Sequence, residues 1–287
     1  MRLEDKNLVY LKELQKKRIS ENHNKEIERN PHKHWWYLKT DNTAYLRSVH
    51  PFTMAADFFR KISPKTVLNL GDSRGGAESV YFKSLGWNSL PCDQITSVLK
   101  IAKEEIGFID NYIEQDAENM FLDSESFDYV ITKETLHHLS RPYAAIYEML
   151  RVAKEGIVII EPRDYNYEFG KENYESCGNF SFGFSLKELA KTFTAMNYPE
   201  VCYRYIWEIQ PIIDEYGSCG GEKFLKNKDN IQAKIDQWYN SHDKQNGQLL
   251  MIFCFKQTCL YRDILEKCGF TFLNIRGNYT LPQGDIK

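Results

Sequence analysis

The 287-residue chain lacks any apolar run of about 18 residues, which is the length that a helix needs to cross a membrane. Its first segment, residues 1–17, alternates charged residues with leucine and has no long apolar core, so it does not resemble a secretion signal. These two absences predict a cytoplasmic protein that does not insert into a membrane.

The sequence also lacks a cysteine framework. Its seven cysteines are an odd number, and no pair has the spacing of a CxxC motif. Scattered thiols are typical of a reducing compartment rather than of disulfides or a zinc site. His32, His34 and His50 match no standard metal-ligand spacing, so we expect no catalytic metal.

Basic residues are not in excess. The chain has 37 lysines and arginines against 40 acidic residues, which gives a net charge of −3 and a pI of about 6.2. A nucleic-acid partner would require a basic face, so we expect none and predict a small-molecule substrate. A homodimer is left open.

What the sequence does have is apolar residues in an ordered pattern. At 42% hydrophobic and 14% aromatic residues, the chain can bury a substantial core. From Thr66 onward, short β-branched runs alternate with segments of helical periodicity. This alternation predicts an α/β fold in which right-handed crossovers join parallel strands into an open, doubly wound sheet.

The predicted elements follow one another along the chain. Strands are predicted at 66–70, 89–92, 112–115, 127–132, 156–161, 201–207, 249–255 and 270–275. Helices are predicted at 3–29, 53–62, 77–84, 97–105, 143–152, 185–196 and 260–267. Ser185 and Glu188 have the spacing of a capping box. We expect a helical cap over residues 1–62, a core over 63–287, and a polar insertion on its substrate side at about 208–248.

The first predicted strand runs into a glycine turn. The segment TVLNLGDSRGG, residues 66–76, ends its apolar run at Gly71, and a helix is predicted from Ala77. Glycine permits a positive φ and lets a ligand approach the backbone. The start of the helix offers unpaired N–H groups and a positive dipole end, which suit a carboxylate or a phosphate.

Asp93 ends the next predicted strand, about 20 residues beyond the turn. An acidic side chain at this distance can bind two ribose hydroxyls. The pairing of a glycine turn with this acid therefore indicates an adenosine-type ligand. An ordinary turn followed by an exposed aspartate is the alternative.

The glycine turn resembles motif I of the class I S-adenosylmethionine-dependent methyltransferases. Asn69 stands where that motif usually has an acid, and Ser73 replaces its middle glycine. Residues 115–118, QDAE, are similar to the family's segment after strand three. Residues 126–142 resemble the "FD-x-V…LHH" signature of the type-11, ubiquinone-biosynthesis-like branch, and residues 148–162 its following helix and fifth strand.

This ordered resemblance, from about Thr66 to Pro162, implies a Rossmann-like methyltransferase fold with a mostly parallel seven-stranded sheet. It also implies an enzyme whose cofactor is S-adenosyl-L-methionine. In the family an aspartate after strand three contacts the adenine amino group, and residues just past strand four lie beside the cofactor. Carried onto this sequence, the expected cofactor-binding residues are Asn69, Gly71, Asp72, Ser73, Gly75, Asp93, Gln94, Asp116, Ala117, Lys133 and Glu134.

Two histidines are candidates for acid–base catalysis. His137 and His138 follow the fourth predicted strand, at the carboxyl edge where ligands bind in such sheets. Imidazole has a suitable pKa for a base near neutral pH, and a hydroxyl acceptor usually needs one. The alternative is that the pair packs against or caps the next helix.

The acceptor is expected on the same edge. Arg163 follows the fifth strand, Tyr165 and Tyr167 come next, and Arg47 precedes the core. An arginine there could bind a phosphate or carboxylate with two hydrogen bonds, or form a surface ion pair. The polar and aromatic residues favour a sugar or nucleotide-linked sugar hydroxyl, in a resemblance to methyltransferases of bacterial surface-polysaccharide biosynthesis.

Two other functions stay open. Gly71, Ser73 and Gly76 also fit a degraded GxGxxG motif, so an NAD(P)-dependent sugar-nucleotide oxidoreductase or epimerase is one alternative. Tyr167 and Lys171 have the spacing of its Tyr-x-x-x-Lys pair. The other alternative is a non-catalytic protein that keeps the fold and binds a partner.

Overall fold

A computed structural model describes residues 6–29, 38–164, 183–198 and 200–273. The helices are α1 Lys6–Arg29, α2 Thr43–Thr53, α3 Ala56–Ile62, α4 Ala77–Ser84, α5 Ser97–Glu104, α6 Pro142–Val152, α7 Leu186–Ala195, α8 Gln210–Tyr216, α9 Glu222–Ser241 and α10 Arg262–Lys267. The strands are β1 Thr66–Leu70, β2 Asn88–Asp93, β3 Ile113–Glu114, β4 Phe127–Lys133, β5 Ala153–Pro162, β6 Glu200–Ile206, β7 Leu249–Phe255 and β8 Thr271–Leu273. A 3-10 turn, Leu136–His138, follows β4.

All eight strands belong to one sheet in the order β3-β2-β1-β4-β5-β7-β6-β8. Strands β1 to β5 pair in parallel, whereas β7, β6 and β8 add to β5 as an antiparallel extension. The predicted α/β, mostly parallel Rossmann-like fold is confirmed. The resemblance implies seven strands, but the sheet has eight, because the strand predicted at 270–275 is present as β8 and pairs with β6.

Alternate residues of the central strands pack into two different apolar clusters. On β5, Ile157 and Ile159 belong to the cluster that includes α6 and α7. Val158 and Ile160 belong to the cluster that includes α2, α3, α4 and α10. Because successive side chains of a strand point to opposite faces, both faces of the sheet are covered by helices. The near-continuous apolar runs of β5 and β7 follow from this double burial.

The chain before β1 is closely packed against the sheet. Phe52 of α2 and Phe59 of α3 are fully buried in the same cluster as Phe253 of β7. The expected division of the chain at residue 62 stays a prediction.

Three local predictions differ from the structure. The helix predicted at 53–62 is shorter, because α3 begins at Ala56; Thr53 instead ends α2, a helix that was not predicted, and Met54 and Ala55 separate the two. The polar insertion at 208–248 contains α8 and α9, whose apolar side chains form a small cluster of their own. Ser185 precedes α7, but its side chain makes no capping hydrogen bond, so the predicted capping box is absent.

Within the four described stretches, no helix combines the length and the apolar composition that a membrane crossing requires.

Candidate functional site

The carboxyl ends of β1, β2 and β4 meet where the strand order reverses. From β1 the chain goes first to β2 on one side and later to β4 on the other. Crossover connections on opposite sides leave a crevice at such a point, and ligands of open α/β sheets bind there. A cavity of about 340 Å³ opens at this place, within the usual size range of ligand sites. Its lining is Gln15, Ile19, Leu70, Gly71, Ser73, Arg74, Glu78, Asp93, Gln94, Ile95, Gln115, Ala117, Lys133, Glu134, Thr135, His137, His138 and Leu139.

The glycine turn forms one wall of this cavity. Gly71 has φ of +82°, in the left-handed region that favours glycine, and its N–H donates to the carbonyl of Cys92 at 2.7 Å. A β-carbon on Gly71 would overlap the side chain of Thr135. Both the backbone and the neighbouring side chain therefore require glycine here. Ser73 also lines the cavity, whereas Gly75, with φ of +73°, packs beneath Leu38.

Asp72 lies behind the turn and does not line the cavity. Its buried carboxyl group accepts the N–H groups of Ser79 at 2.9 Å and Glu78 at 3.3 Å, so it caps the start of α4. Burial, followed by the neighbouring Glu78, raises the pKa of Asp72 well above its usual range. The sequence predicts that N–H groups at the start of this helix bind an anionic ligand. In the structure, two of them donate to the Asp72 carboxyl group instead.

Asn69 also points away from the cavity. Its side-chain amide donates to the hydroxyls of Ser79 at 2.8 Å and Ser89 at 2.7 Å. Asn69 is buried, and these bonds connect β1 to α4 and β2. Asn69 and Asp72 thus do not line the cavity, and the cofactor-binding role of these two residues stays a prediction.

Asp93 and Gln94 also line the cavity, at the end of β2, which pairs with β1. One carboxylate oxygen of Asp93 accepts the N–H of Ile95 at 2.8 Å, which fixes the side chain at the rim. Burial raises the pKa of Asp93 to about 6, although the N–H groups of Ile95 and Gln94 oppose this rise. Asp93 therefore lines the same cavity as Gly71, whose N–H donates to the carbonyl of Cys92, the residue before Asp93.

Asp116 and Ala117 follow β3. Ala117 lines the cavity, but Asp116 does not. The carboxylate of Asp116 accepts the N–H of Glu118 at 2.9 Å and pairs with Lys12 of α1 at 3.0 Å. In this structure, Lys12 holds the carboxylate that was expected to face an adenine amino group.

Helix α1 closes this side of the cavity. Lys12 also reaches Glu118 at 2.6 Å, and Gln15 donates from its side chain to the carbonyl of His138 at 2.7 Å. Gln15 and Ile19 contribute directly to the lining. No local pattern indicates these contacts, because Lys12 lies 104 residues before Asp116 and Gln15 lies 123 residues before His138.

Lys133 and Glu134 stand at the end of β4. Lys133 is almost fully buried and lies 2.7 Å from Glu134 and 3.6 Å from Glu78. Burial alone would raise the pKa of Glu134, but the charge and hydrogen bond of Lys133, with Arg74 and Arg47, outweigh it and lower the pKa to about 2. Glu134 also has a positive φ of 48°, a strained conformation that is often found at functional sites.

The turn after β4 carries His137 and His138, and both rings line the cavity. Their centroids are 3.8 Å apart. Nδ1 of His137 lies 2.6 Å from Oε2 of Glu161 at the end of β5. Sequence reasoning missed Glu161, although an acid that ends a strand of apolar residues at this edge is a detectable signal.

The four predicted acceptor residues lie in different surroundings. The guanidinium of Arg163 donates to the carbonyls of Gln245 and Gly247 and lies 3.7 Å from the centre of the Tyr205 ring. Arg47 lines a second, smaller cavity that touches the first at Glu134. Tyr165 and Tyr167 are outside the described residues.

Comparison with known proteins adds a family match. The family Methyltransf_11, described as a methyltransferase domain, matches residues 68–160, the segment from β1 to β5. A search of curated proteins finds no match.

The solved structures that are similar to this chain include three methyltransferases. An S-adenosylmethionine-dependent methyltransferase from Thermotoga maritima is 17% identical, covers 83% of this chain and 99% of that chain, and has a TM-score of 0.48. One from Archaeoglobus fulgidus is 14% identical, covers 73% and 94%, and has a TM-score of 0.48. Phosphoethanolamine N-methyltransferase 2 of Haemonchus contortus, in complex with S-adenosyl-L-methionine, is 14% identical, covers 72% and 53%, and has a TM-score of 0.48.

Proposed function

We propose that this chain, whose residues 68–160 form the methyltransferase domain of a class I S-adenosylmethionine-dependent enzyme, methylates a hydroxyl group of a small polar acceptor. One observation carries the proposal. The glycine turn at Gly71, the carboxylate of Asp93 and the imidazole of His137 all line the same cavity. This shared location supports the proposal, in which Gly71 lies against the cofactor, Asp93 binds its ribose and His137 is the base.

The residues of the cavity fit the cofactor. Gly71 leaves open backbone where a β-carbon would block the approach, and Asp93 presents a carboxylate to the ribose hydroxyls. Lys133 and Glu134 bring one positive and one negative group to the end of β4, which suits the zwitterionic methionine end. Gln94, Gln115 and Ala117 line the cavity after the paired strands β2 and β3, and we assign this part to the adenine.

The bound cofactor supplies an activated methyl group on a sulfonium. The protein's main contribution is then to hold the acceptor oxygen in line with that methyl group, since fixed orientation can supply several kcal/mol of the barrier. A hydroxyl acceptor must also lose its proton. His137 lines the cavity and is the residue to which we assign that proton. His138, whose ring lies against that of His137, is the second candidate.

The second cavity supports a sugar as the acceptor. Glu134 is shared by the two cavities, and the other lining groups of the smaller one include Arg47, Trp207 and Glu208. Charged side chains such as those of Arg47 and Glu208 form strong hydrogen bonds with hydroxyl groups. The space of about 20 Å³ admits one water-sized group, so it suits a single hydroxyl rather than a whole ring. A place in surface-polysaccharide biosynthesis stays a prediction.

The two rival functions make different predictions. An oxidoreductase or epimerase would bind a nicotinamide nucleotide in the same cavity, and its Tyr167–Lys171 pair lies outside the described residues. A non-catalytic relative would turn over no acceptor. The retained Asp93 and the cluster of ionisable groups beside it favour an enzyme, because such clusters of perturbed pKa values are typical of active sites.

The experiment is a screen of free, phosphorylated and nucleotide-linked sugars with S-adenosylmethionine, in which released S-adenosylhomocysteine is measured. We expect release with at least one sugar and a product whose added methyl group is on oxygen. His137→Ala should keep cofactor binding and lower turnover by about 10²–10⁴-fold. Release with amines but with no sugar would refute the hydroxyl acceptor.

A further inference from the structure

Glu161 is a fully buried carboxyl group in the middle of the sheet. It is near the end of β5, which lies between β4 and β7, and it has 0% exposure. A charge taken out of water is costly unless hydrogen bonds satisfy it. Apart from Glu161, the buried residues of this strand are apolar or glycine. The fold therefore accommodates this acid only because specific partners surround it.

Those partners all come from the turn after β4. Oε1 of Glu161 accepts the backbone N–H of Thr135 at 2.9 Å and that of Leu136 at 2.7 Å. Oε2 lies 2.6 Å from Nδ1 of His137. One oxygen thus fixes the backbone of the turn, and the other fixes the orientation of the imidazole.

This division favours one tautomer of His137. A carboxylate only accepts hydrogen bonds, so the contact between Oε2 and the ring favours a proton on Nδ1. The neutral ring then has its lone pair on Nε2. The His138 ring, whose centroid is 3.8 Å away at a tilt of 48°, further restricts rotation of the His137 ring.

We propose that Glu161 is a positioning residue for the base, which holds His137 with Nε2 as its proton acceptor and stabilises the imidazolium that forms. The inference rests on the proposed function. The acceptor's O–H bond breaks as its proton moves to Nε2, and the oxygen forms a bond to the methyl carbon. The bond between that carbon and sulfur breaks, and its electron pair stays on sulfur as the neutral thioether. The imidazolium later releases its proton to water.

The alternative is that Glu161 only caps the turn. That role uses Oε1 alone and needs no contact between Oε2 and a ring. Glu161→Gln separates the two roles. Its amide oxygen can still accept the N–H groups of Thr135 and Leu136, but its NH₂ group then faces His137. Nδ1 must then accept a hydrogen bond from this NH₂ group, so the ring proton moves to Nε2. Nε2 can then no longer accept the proton of the acceptor.

The first measurement is independent of methyl transfer. Nitrogen-15 NMR of the histidine side chains should show the Nδ1–H tautomer for His137 in the wild-type chain and the Nε2–H tautomer in Glu161→Gln. His137→Gln identifies the signal. The Nε2–H tautomer in the wild-type chain would overturn the proposal, whether or not an acceptor is ever found.

The second measurement is a double-mutant cycle on turnover, with a sugar from the screen as acceptor. Glu161→Gln should lower kcat by about 10²–10⁴-fold, as for other orienting carboxylates, with little change in the KM for the acceptor or in cofactor affinity. In the His137→Ala background the same substitution should cost less than about threefold. An undiminished further loss in that background would show that Glu161 does not act through His137.

A matched control is Glu148→Gln. Glu148 accepts the N–H of Met120 at 2.8 Å and pairs with Arg151, away from the cavity. We expect the Glu148→Gln substitution to leave the tautomer of His137 unchanged. If no sugar is methylated by the wild-type chain, the proposed function fails while the NMR result still decides the orientation of the base.

Discussion

A β-carbon placed on Gly71 would lie 2.0 Å from Oγ1 of Thr135, so the turn after β1 and the chain after β4 are in direct contact. Gly71 belongs to the wall assigned to the cofactor, and Thr135 immediately precedes the turn that carries His137. This contact fixes the position of the glycine turn relative to the turn that carries His137.

Gly71→Ala should therefore lower the free energy of unfolding by more than the cost of placing alanine in a left-handed conformation. Gly107 is the control, because its φ is +69° and a β-carbon there would meet nothing within 4 Å. We expect Gly107→Ala to lower the free energy of unfolding by about 1–2 kcal/mol. Gly71→Ala should cost a further 1–3 kcal/mol, roughly, for the overlap and abolish cofactor binding. Urea unfolding measures both, and equal costs would show that Thr135 moves aside freely.

Asp93 gives the cavity a pH dependence. Burial raises its pKa to about 6, so the folded protein binds this proton more tightly than the unfolded chain. The contribution of Asp93 to stability is therefore lost as the pH rises from about 4 to about 6. Ribose hydroxyls bind the ionised form, so cofactor affinity should fall by up to about tenfold per unit below pH 6.

Titration of the wild-type chain with S-adenosylhomocysteine between about pH 5 and pH 8 measures this effect. Asp93→Asn should bind weakly and show a flatter dependence on pH. Equal wild-type affinity at about pH 5 and pH 8 would mean that the ligand does not meet the Asp93 carboxylate.

Lys12 should hold α1 over the cavity. It pairs with Asp116 and with Glu118, whose side chain is 1% exposed. Lys16, on the same helix, pairs with Glu114, but both side chains are more than half exposed. We expect Lys12→Met to cost about 1–3 kcal/mol and to speed hydrogen exchange in α1, because a buried carboxylate loses a partner. Lys16→Met should cost no more than about 0.5 kcal/mol. The same exchange rates in both variants would assign the docking of α1 to other contacts.

Arg163 should act on stability rather than on the acceptor. Its guanidinium bonds two carbonyls of the 245–247 segment and stacks on Tyr205. Arg163→Lys removes the planar fork and should lower the unfolding free energy by about 1–2 kcal/mol, with little change in the KM for the acceptor. A rise in that KM of tenfold or more, without loss of stability, would show that Arg163 binds the acceptor after all.

The sequence was sufficient for the sheet and for the part of the site that topology determines. Alternating strands and helices predict parallel pairing, and the carboxyl ends of such strands meet at one edge. Gly71, Asp93, Lys133, Glu134 and His137 therefore line one cavity, as their positions at strand ends indicate.

The remainder depends on contacts that no local pattern encodes. Asn69 and Asp72 belong to the motif by position, but their side chains bond to α4 behind the turn. Lys12 reaches Asp116 across 104 residues of sequence. In the polar segment 208–248, helices α8 and α9 are stabilised by a small apolar cluster that packs against α2, which is tertiary rather than local information.

Calorimetric titration with S-adenosylhomocysteine, set beside the same titration with reduced nicotinamide nucleotides, tests the central claim most directly. We predict one site per wild-type chain for S-adenosylhomocysteine, a strong loss of that binding in Asp93→Asn, and no heat with the nicotinamide nucleotides. Binding of a nicotinamide nucleotide without binding of S-adenosylhomocysteine would contradict the account.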